Sequence, residues 1–297
     1  GGSYAAAQAA IADVTEPAQR ARHFGFVGAA FGVGFITGPV IGGLLGEADP
    51  RMPFIAAAAL AGLNFLYGMT VFPETLPEDR RRPFDWRRAN PLGALRTARQ
   101  MRGMLLITAI LTLWQIASLV YPMTWSWYGI AQFGWSSGMI GASLAAVGVV
   151  FAIAQSSMTG PLVARWGERN AASVGMIGAM LCFVGYAFAT RSWMAFAIMP
   201  LLAIQSLVQP SLMALLSRRA TPETQGEMQG IAAMAMGIGS LIAPLLLTGV
   251  MAHFTGPRAP VHFPGAAFLV ATVFALLALA LLRQLPEPPQ TPPGVEP

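Results

Sequence analysis

The ten residues "GFITGPVIGG", from Gly34 to Gly43, put four glycines and one proline inside an apolar stretch that is long enough to cross a membrane. Glycine and proline are the two poorest helix formers in water, so a soluble helix seldom carries such a string. Between membrane helices, small residues let two backbones pack closely. Gly34, Gly38 and Gly42 recur every four residues and therefore lie on one helix face, where we expect a neighbouring helix to approach. Pro39 removes one backbone hydrogen bond, which predicts a bend.

The composition around this string indicates a membrane protein. Of the 297 residues, 55% are hydrophobic and only 10% are charged, whereas soluble domains are about one quarter charged. A membrane helix needs about 20 apolar residues, and the apolar runs predict a short first segment over 1–12 followed by eight complete spans. We place these spans at 24–45, 53–72, 103–125, 138–158, 171–189, 193–213, 228–250 and 264–282. The predicted fold class is therefore an all-α protein with several membrane helices.

The basic residues fix the predicted orientation of these spans. All but three of the 18 basic residues fall in alternate loops and the tail, and the exceptions are Arg51, Arg191 and Arg258. The positive-inside rule makes the arginine-rich side cytoplasmic. The net charge of +5 thus follows from topology. Because the arginines are spread over several loops without interleaved aromatics, we expect no nucleic-acid partner.

An internal repeat suggests how the spans are organised. A shift of 205 residues aligns the opening stretch with a later one, and most of the matches are glycine or proline. The aligned pairs are Pro17 with Pro222, Gly25 with Gly230, Ala30 with Ala235, Gly32 with Gly237, Gly34 with Gly239 and Pro39 with Pro244. Both copies run outward from a cytoplasmic loop, so the repeat is parallel, as in transporters built from two six-helix halves.

The repeat predicts a twelve-span protein of which this chain holds the later part. We expect 1–72 to be the end of the fourth span with the fifth and sixth, and 73–102 to be a cytoplasmic linker. The range 103–284 would be the second six-helix half, and 285–297 a proline-rich cytoplasmic tail. The first three spans are expected to lie ahead of Gly1.

Several longer strings carry a family resemblance. "GFITGPVIGG" resembles the antiporter signature in the fifth span of the major facilitator superfamily. "YAAAQAAIADVTEPAQRARHFGF", "GPLVARWGERNA" and "SRRATPETQGEMQG" resemble segments of the tetracycline-resistance efflux family, whose members are drug–proton antiporters of bacterial inner membranes. The resemblance implies a partial major facilitator fold and proton-coupled export of tetracycline-like drugs, without enzymatic activity. It also implies no bound cofactor, with the proton as coupling ion, the lipid bilayer and a small drug as partners, and a drug that travels as a divalent-metal chelate.

The resemblance assigns roles to two sets of residues. The antiporter motif corresponds to Gly34, Gly38, Pro39, Gly42 and Gly43. A cytoplasmic gate corresponds to charged and glycine positions in two loops, where pairing with neighbouring helix ends would close the inner side. These positions are Asp13, Arg20, Arg22, Gly160, Arg165, Gly167, Glu168 and Arg169. Solvated loops that obey the positive-inside rule are the alternative explanation for the arginines.

Uncharged polar residues inside the spans predict a central cavity. An unpaired amide in lipid costs several kcal/mol, so we expect these side chains to face the bundle or a wet cavity suited to a large, planar drug. The candidates are Asn64, Gln115, Tyr121, Gln155, Gln205 and Gln209. Hydrogen bonding between helices is the alternative role for each of them. His23, His253 and His262 lie in or beside loops without metal-ligand spacing, so we predict no metal site.

Two positions depart from the family pattern. Family members carry an acidic residue in the ninth span and a histidine in the eighth, where this chain has Ala179 and Phe151. The proton carrier is therefore expected in the first half, where the family has a carboxylate in its first span. The departures leave open an exporter of another drug or metabolite, or a membrane protein that does not transport. Clusters of histidine and carboxylate that would favour a membrane enzyme are not evident in the sequence.

Overall fold

The computed structural model describes residues 15, 17–71, 103–219, 225–257 and 259–286. Within these ranges the chain is helical and contains no strand. The helices, in chain order, are α1 (Pro17–Ala48), α2 (Met52–Thr70), α3 (Met104–Ser118), α4 (Val120–Phe133), α5 (Ser137–Ile153), α6 (Thr159–Trp166), α7 (Glu168–Phe188), α8 (Ser192–Ile198), α9 (Leu202–Gln205), α10 (Val208–Ser217), α11 (Gln225–Thr255) and α12 (Ala266–Gln284).

These helices confirm the predicted membrane spans. Seven helical stretches of the described residues are long and apolar enough to cross a membrane. The span predicted over 24–45 is represented by a shorter apolar segment, Gly32–Ala48, and stays a prediction. The structure extends the span predicted over 103–125 as far as Phe133 and the span predicted over 138–158 as far as Trp166. The short segment 1–12 and the predicted linker 73–102 lie outside the described residues.

Two compact units share the described residues. The first unit holds the residues up to Val71 together with Trp135–Val149, and the second holds 103–134 and everything from Val150 on. In the first unit α1 packs on α2. Gly43 is buried in α1, and a Cβ placed on it would lie 2.9 Å from the carbonyl oxygen of Ser137 and 3.0 Å from the Cα of Gly141.

The glycine face predicted from the motif is not the face that makes this close contact. In the described part of the chain, no atom lies within 4 Å of a Cβ built on Gly34, Gly38 or Gly42. Close approach occurs instead at Gly43, which is about 100° around the helix from Gly42 because each residue turns an α-helix by that angle. In the described residues α1 turns the adjacent face towards α5, and a close neighbour along Gly34, Gly38 and Gly42 stays a prediction.

The second unit is built around α7 and α12. Helix α12 packs on α3 and α7, α11 packs on α3, and α7 also packs on α9 and α10. Close packing on α7 depends on Gly175 and Gly178, where an added Cβ would lie 2.6 Å from Val208 Cγ2 and 2.7 Å from Ile204 Cγ2. Buried aromatic rings fill one part of this unit, and they are Trp125, Tyr128, Phe183, Tyr186 and Phe268.

Helical geometry is interrupted at two places in the second unit. Ala154–Met158 is a π-helical turn between α5 and α6. Between α8 and α10, a 3₁₀ turn at Met199–Leu201 and the four-residue helix α9 replace regular α-helix. Irregular backbone at membrane depth is tolerated only where it is buried in protein or lines a water-filled cavity. Both interruptions therefore mark positions of potential function.

Candidate functional site

A buried amide lies where the second of these interruptions ends. Gln205 ends the short helix α9 and is only 5% exposed. Its Oε1 accepts a hydrogen bond from the hydroxyl of Tyr121 on α4 at 3.2 Å. A buried amide needs such a partner, because leaving it unpaired would cost about 1–3 kcal/mol. The structure thus joins two of the predicted cavity residues.

Two hydroxyl groups connect the interruptions to each other. The Thr159 hydroxyl donates to the carbonyl of Ala154 at 3.1 Å, and the Ser206 hydroxyl donates to the carbonyl of Ala203 at 2.7 Å. The two hydroxyl oxygens are 3.3 Å apart, and both side chains are buried. Each hydroxyl carries one hydrogen, so four oxygens share two donors here. A group with a donatable hydrogen, such as water, would complete this cluster.

Gln115 and Gln209 both contact helix α11. Gln115 Nε2 donates to the Ser240 hydroxyl at 3.3 Å, and Gln209 Nε2 donates to the Met236 sulfur at 3.6 Å. Both amides are half-buried. These contacts fit the alternative in which amides hold helices together, and they leave each amide with unused donors and acceptors.

The two other predicted cavity residues are placed differently. Gln155 lies in the π turn and is exposed, and Asn64 lies on α2 in the first unit and is also exposed. In the described residues neither amide forms a hydrogen bond with Tyr121, Gln205 or Gln209. Four of the six candidates, Gln115, Tyr121, Gln205 and Gln209, are thus at least half-buried in the second unit, and the cavity itself stays a prediction.

Sequence reasoning missed the hydroxyl pair and two unpaired polar atoms. Tyr186 Oη and Ser211 Oγ are buried without a hydrogen-bond partner within the described structure. Serine and threonine in apolar spans usually bond to their own helix, so Thr159, Ser206 and Ser211 gave no signal in sequence. The proximity of Thr159 to Ser206 emerges only when the two interruptions come together.

Five of the predicted gate residues lie along α6 and at the start of α7. Glu168 Oε1 and Arg218 Nη2 form an ion pair at 2.7 Å. Arg165 is exposed, and Gly167 has φ 77°, which favours glycine at this turn between α6 and α7. Asp13 lies outside the described residues, as do the side chains of Arg20 and Arg22.

Two arginines meet the end of α12. Arg169 donates to the carbonyl of Leu285, and Arg219 Nη2 donates to the carbonyl of Pro286 at 2.6 Å. Arg219 is only 8% exposed and also donates to the Leu215 carbonyl at 2.6 Å. Burial lowers the pKa of the Arg219 guanidinium, and the nearby positive charge of Arg169 lowers it further. Both side chains thus form hydrogen bonds with carbonyls that directly follow α12, those of Leu285 and Pro286.

Sequence reasoning also missed a carboxylate contact at the C-terminal end of α1. Glu47 Oε1 accepts hydrogen bonds from the Ser136 hydroxyl at 2.8 Å and from the Gly138 N–H at 3.1 Å. These donors belong to the first turn of α5, where a negative charge is favourable. A side chain at residue 138 would collide with this carboxylate. Glu47 therefore joins the end of α1 to the start of α5 within the first unit.

Clusters that resemble a metal site are not found in the described residues, where no group of three or more His, Cys, Asp and Glu side chains comes together. The single cysteine, Cys182, is buried with a free thiol.

Known proteins resemble the chain throughout its length. The profile of the Major Facilitator Superfamily matches residues 1–244 and, in a second match, 130–297. The tetracycline resistance protein of class C from Escherichia coli is 41% identical over 96% of this chain and 70% of its own length. The class G protein from Vibrio anguillarum is 36% identical over 96% of this chain and 71% of its own length.

A solved structure supports the fold. The crystal structure of the human organic anion transporter MFSD10 (TETRAN) matches 93% of this chain and 66% of its own chain, with a TM-score of 0.59 and 22% identity. Together with the apolar spans, these matches place the chain among multi-pass proteins of the bacterial inner membrane and among transporters rather than enzymes. The chain belongs to the major facilitator superfamily and, within it, to the family of the tetracycline resistance proteins.

Proposed function

We propose that this chain is the larger part of a proton-coupled antiporter that exports tetracycline-like drugs from the cytoplasm. The observation that carries the proposal is the buried Tyr121–Gln205 hydrogen bond beside an interrupted span, in a chain 41% identical to a tetracycline resistance protein. Transporters bind substrates near the bilayer midplane, where discontinuous helices expose backbone groups. Tyr121, Gln205 and Gln209 would supply hydrogen bonds to the polar edge of a planar drug.

The coupling ion in this proposal is the proton, and the substrate is a chelate of a divalent cation. The metal would travel with the drug as cargo, and the protein would need no site of its own for it. Buried titratable groups in spans are costly and commonly serve proton transfer. The proton carrier is proposed to lie in spans ahead of Gly1, and no nucleic-acid partner is expected.

A second candidate is an exporter of a different drug or metabolite. It is favoured by Ala179, which is fully buried in α7, and by Phe151 in α5. These positions hold an acidic residue and a histidine in the family resemblance. Substituting apolar side chains would alter the charge that the transport pathway presents to its substrate.

The test is a drug-susceptibility panel on cells that express the full-length gene, with and without a protonophore. We expect resistance to tetracycline that disappears when the proton gradient is collapsed. The substitution Gln205→Ala removes an amide proposed to bind the drug, and the loss of one hydrogen bond of about 0.5–1.5 kcal/mol would weaken drug binding roughly 2- to 13-fold.

The matched control is Gln284→Ala, which removes an exposed amide at the end of α12 and should leave resistance unchanged. Immunoblotting of membranes separates a transport defect from a loss of protein. Resistance to other drugs but not to tetracycline would select the second candidate. Normal tetracycline transport by Gln205→Ala at normal abundance would contradict the assigned role of Gln205.

A further inference from the structure

A cleft opens in the second unit between α6 and α10, on the arginine-rich side. Its volume is about 420 Å³, which falls in the range of roughly 300–1,000 Å³ typical of small-molecule sites. One wall is formed by Gly160, Val163 and Ala164, and the opposite wall by Pro210 and Ala214. The cleft is thus large enough for a molecule of several fused rings.

The glycine in the wall leaves space unfilled, unlike the glycines of α7. A Cβ on Gly175 would lie 2.6 Å from Val208 Cγ2, so that glycine admits a neighbouring helix. A Cβ on Gly160 would have no atom within 4 Å. Ala164 and Ala214 are small as well, so the walls carry no large side chain that could fill the cleft. The cleft therefore exists because both helices carry small residues where they face each other.

The rim and the floor of the cleft are polar. Glu168 and Arg218 form their 2.7 Å ion pair at the rim, where the side chain of Arg218 is 61% exposed and that of Glu168 is 16% exposed. Thr159 lies in the floor, beside Ser206. Because Arg218 is mostly exposed to water, this ion pair contributes on the order of 1 kcal/mol, so a ligand with one positive and one negative group can replace it at little cost.

The cleft leads along α10 towards the buried amides. Ala214 in the wall is five residues from Gln209, or about 8 Å along a helix, and Gln209 precedes Pro210 of the wall. Ser206 beside the floor directly follows Gln205. A molecule in the cleft would therefore lie one to two helical turns from the residues proposed to bind the drug.

We propose that this cleft is a cytoplasmic entry site, in which a planar, zwitterionic drug binds before it reaches Gln205. Its rings would lie against Gly160, Ala164 and Ala214, its cation at Glu168 and its anion at Arg218. This inference rests on the proposed drug-export function and adds a second, outer site to it. Tetracycline, with fused rings, an ammonium group and an ionised enol, has the required chemistry.

The test uses thiol labelling of the full chain in inside-out membrane vesicles. Cys182 is buried and is the only cysteine, so Ala164→Cys or Ala214→Cys introduces a single reactive thiol. Tetracycline should slow the reaction of both thiols with a membrane-impermeant maleimide. The expected protection is about tenfold at ten times the Kd, since the free fraction falls with ligand occupancy. Gln284→Cys, exposed at the same side, should react at an unchanged rate.

Adding Gln205→Ala to each cysteine variant separates the two sites. Protection that persists in the double variant shows that the cleft itself binds the drug. Protection that disappears with Gln205→Ala shows only a conformational response to the deeper site and overturns the entry site. Protection of Gln209→Cys without protection at Ala164→Cys or Ala214→Cys also overturns it, while leaving the proposed function intact. Adding Arg218→Gln should weaken protection by removing the partner of the drug's anion.

Discussion

Helices α1 and α11 carry the two copies of the repeated string, and they use its small residues in different ways. On α1, no atom lies within 4 Å of a Cβ at Gly34, whereas its counterpart Gly239 on α11 would place a Cβ 2.7 Å from the side chain of Gln115. The close contact of α1 is made by Gly43, whose counterpart is Thr248. Equivalent positions in a repeat therefore need not make equivalent contacts.

The proline of each copy shows the same divergence. The carbonyl of Pro39 lies against Gly141 of α5, whereas the carbonyl of Pro244 accepts a hydrogen bond from the Thr248 hydroxyl at 2.6 Å. Each of these carbonyls has its ordinary helical donor in the N–H four residues later, so the difference lies in what else is close to it. One copy has a neighbouring helix at this carbonyl, and the other has a hydroxyl of its own helix. A helix rich in small residues can accommodate either a neighbouring helix or a side chain of its own at such a carbonyl.

The largest expected effect on stability comes from exchanging the aligned residues Gly43 and Thr248 between the two helices. Gly43→Thr would force atoms against the Ser137 carbonyl and the Gly141 Cα, and overpacking of this kind costs about 1–3 kcal/mol. The reciprocal change, Thr248→Gly on an exposed part of α11, should cost about 1 kcal/mol or less. Unfolding by denaturant in detergent micelles, followed by tryptophan fluorescence, measures both changes. Equal losses of stability would show that the two copies are packed alike.

A smaller effect is expected at the aligned pair Gly239 and Gly34. Gly239→Ala would crowd Cβ and Cγ of Gln115 and the Thr112 carbonyl, and it would disturb the hydrogen bond from Gln115 to Ser240. Because alanine adds a single methyl group, fewer atoms than threonine adds at residue 43, we expect a loss of about 1 kcal/mol, at the lower end of the range for overpacking. Gly34→Ala, with nothing within 4 Å, serves as control and should not lower stability in the same unfolding assay. A loss at Gly34→Ala as large as at Gly239→Ala would contradict the assignment.

The smallest effect concerns the outward end of α1. Glu47 has Ala252 as its counterpart in the repeat, so Glu47→Ala makes α1 more like α11. It removes the acceptor of the Ser136 hydroxyl and the Gly138 N–H, and a hydrogen bond contributes about 0.5–1.5 kcal/mol. Since Glu47 is exposed, we expect the lower end of this range. Glu47→Gln keeps an oxygen acceptor and should fall between wild type and Glu47→Ala in the unfolding measurement.

The membrane spans could be predicted from sequence because uncharged apolar runs are sufficient to define them. In the predicted twelve-span numbering, the ninth span, predicted over 171–189, is the helix Glu168–Phe188. The twelfth span, predicted over 264–282, is the helix Ala266–Gln284. The tenth, predicted as one helix over 193–213, is instead interrupted around Met199–Leu201 and after Gln205. Pro200 lies inside this break and removes a backbone hydrogen bond. Beyond it, Ile204 and Val208 pack against glycines of α7, a tertiary contact that periodicity does not contain.

The candidate site was predictable only in part, for a related reason. Gln205 and Tyr121 were both identified as buried amphipathic candidates, and the structure joins them. Gln155 lies exposed in a π turn, and its place in the cavity stays a prediction. A π turn inserts an extra residue into the helical repeat and rotates the following side chains, so spacing of 3.6 residues misplaces them. Thr159 and Ser206 were missed because neither gave a sequence signal apart from the other.

The arginine contacts at the end of α12 affect how this protein can be shortened or tagged. A chain that stopped before Leu285 would deprive Arg169 and Arg219 of the carbonyls to which they donate. Arg219 would then be a buried cation missing one of its two acceptors, which is a costly defect. We expect chains that terminate near this point to fold poorly and to be degraded by membrane proteases. A purification tag should therefore be attached beyond Pro286.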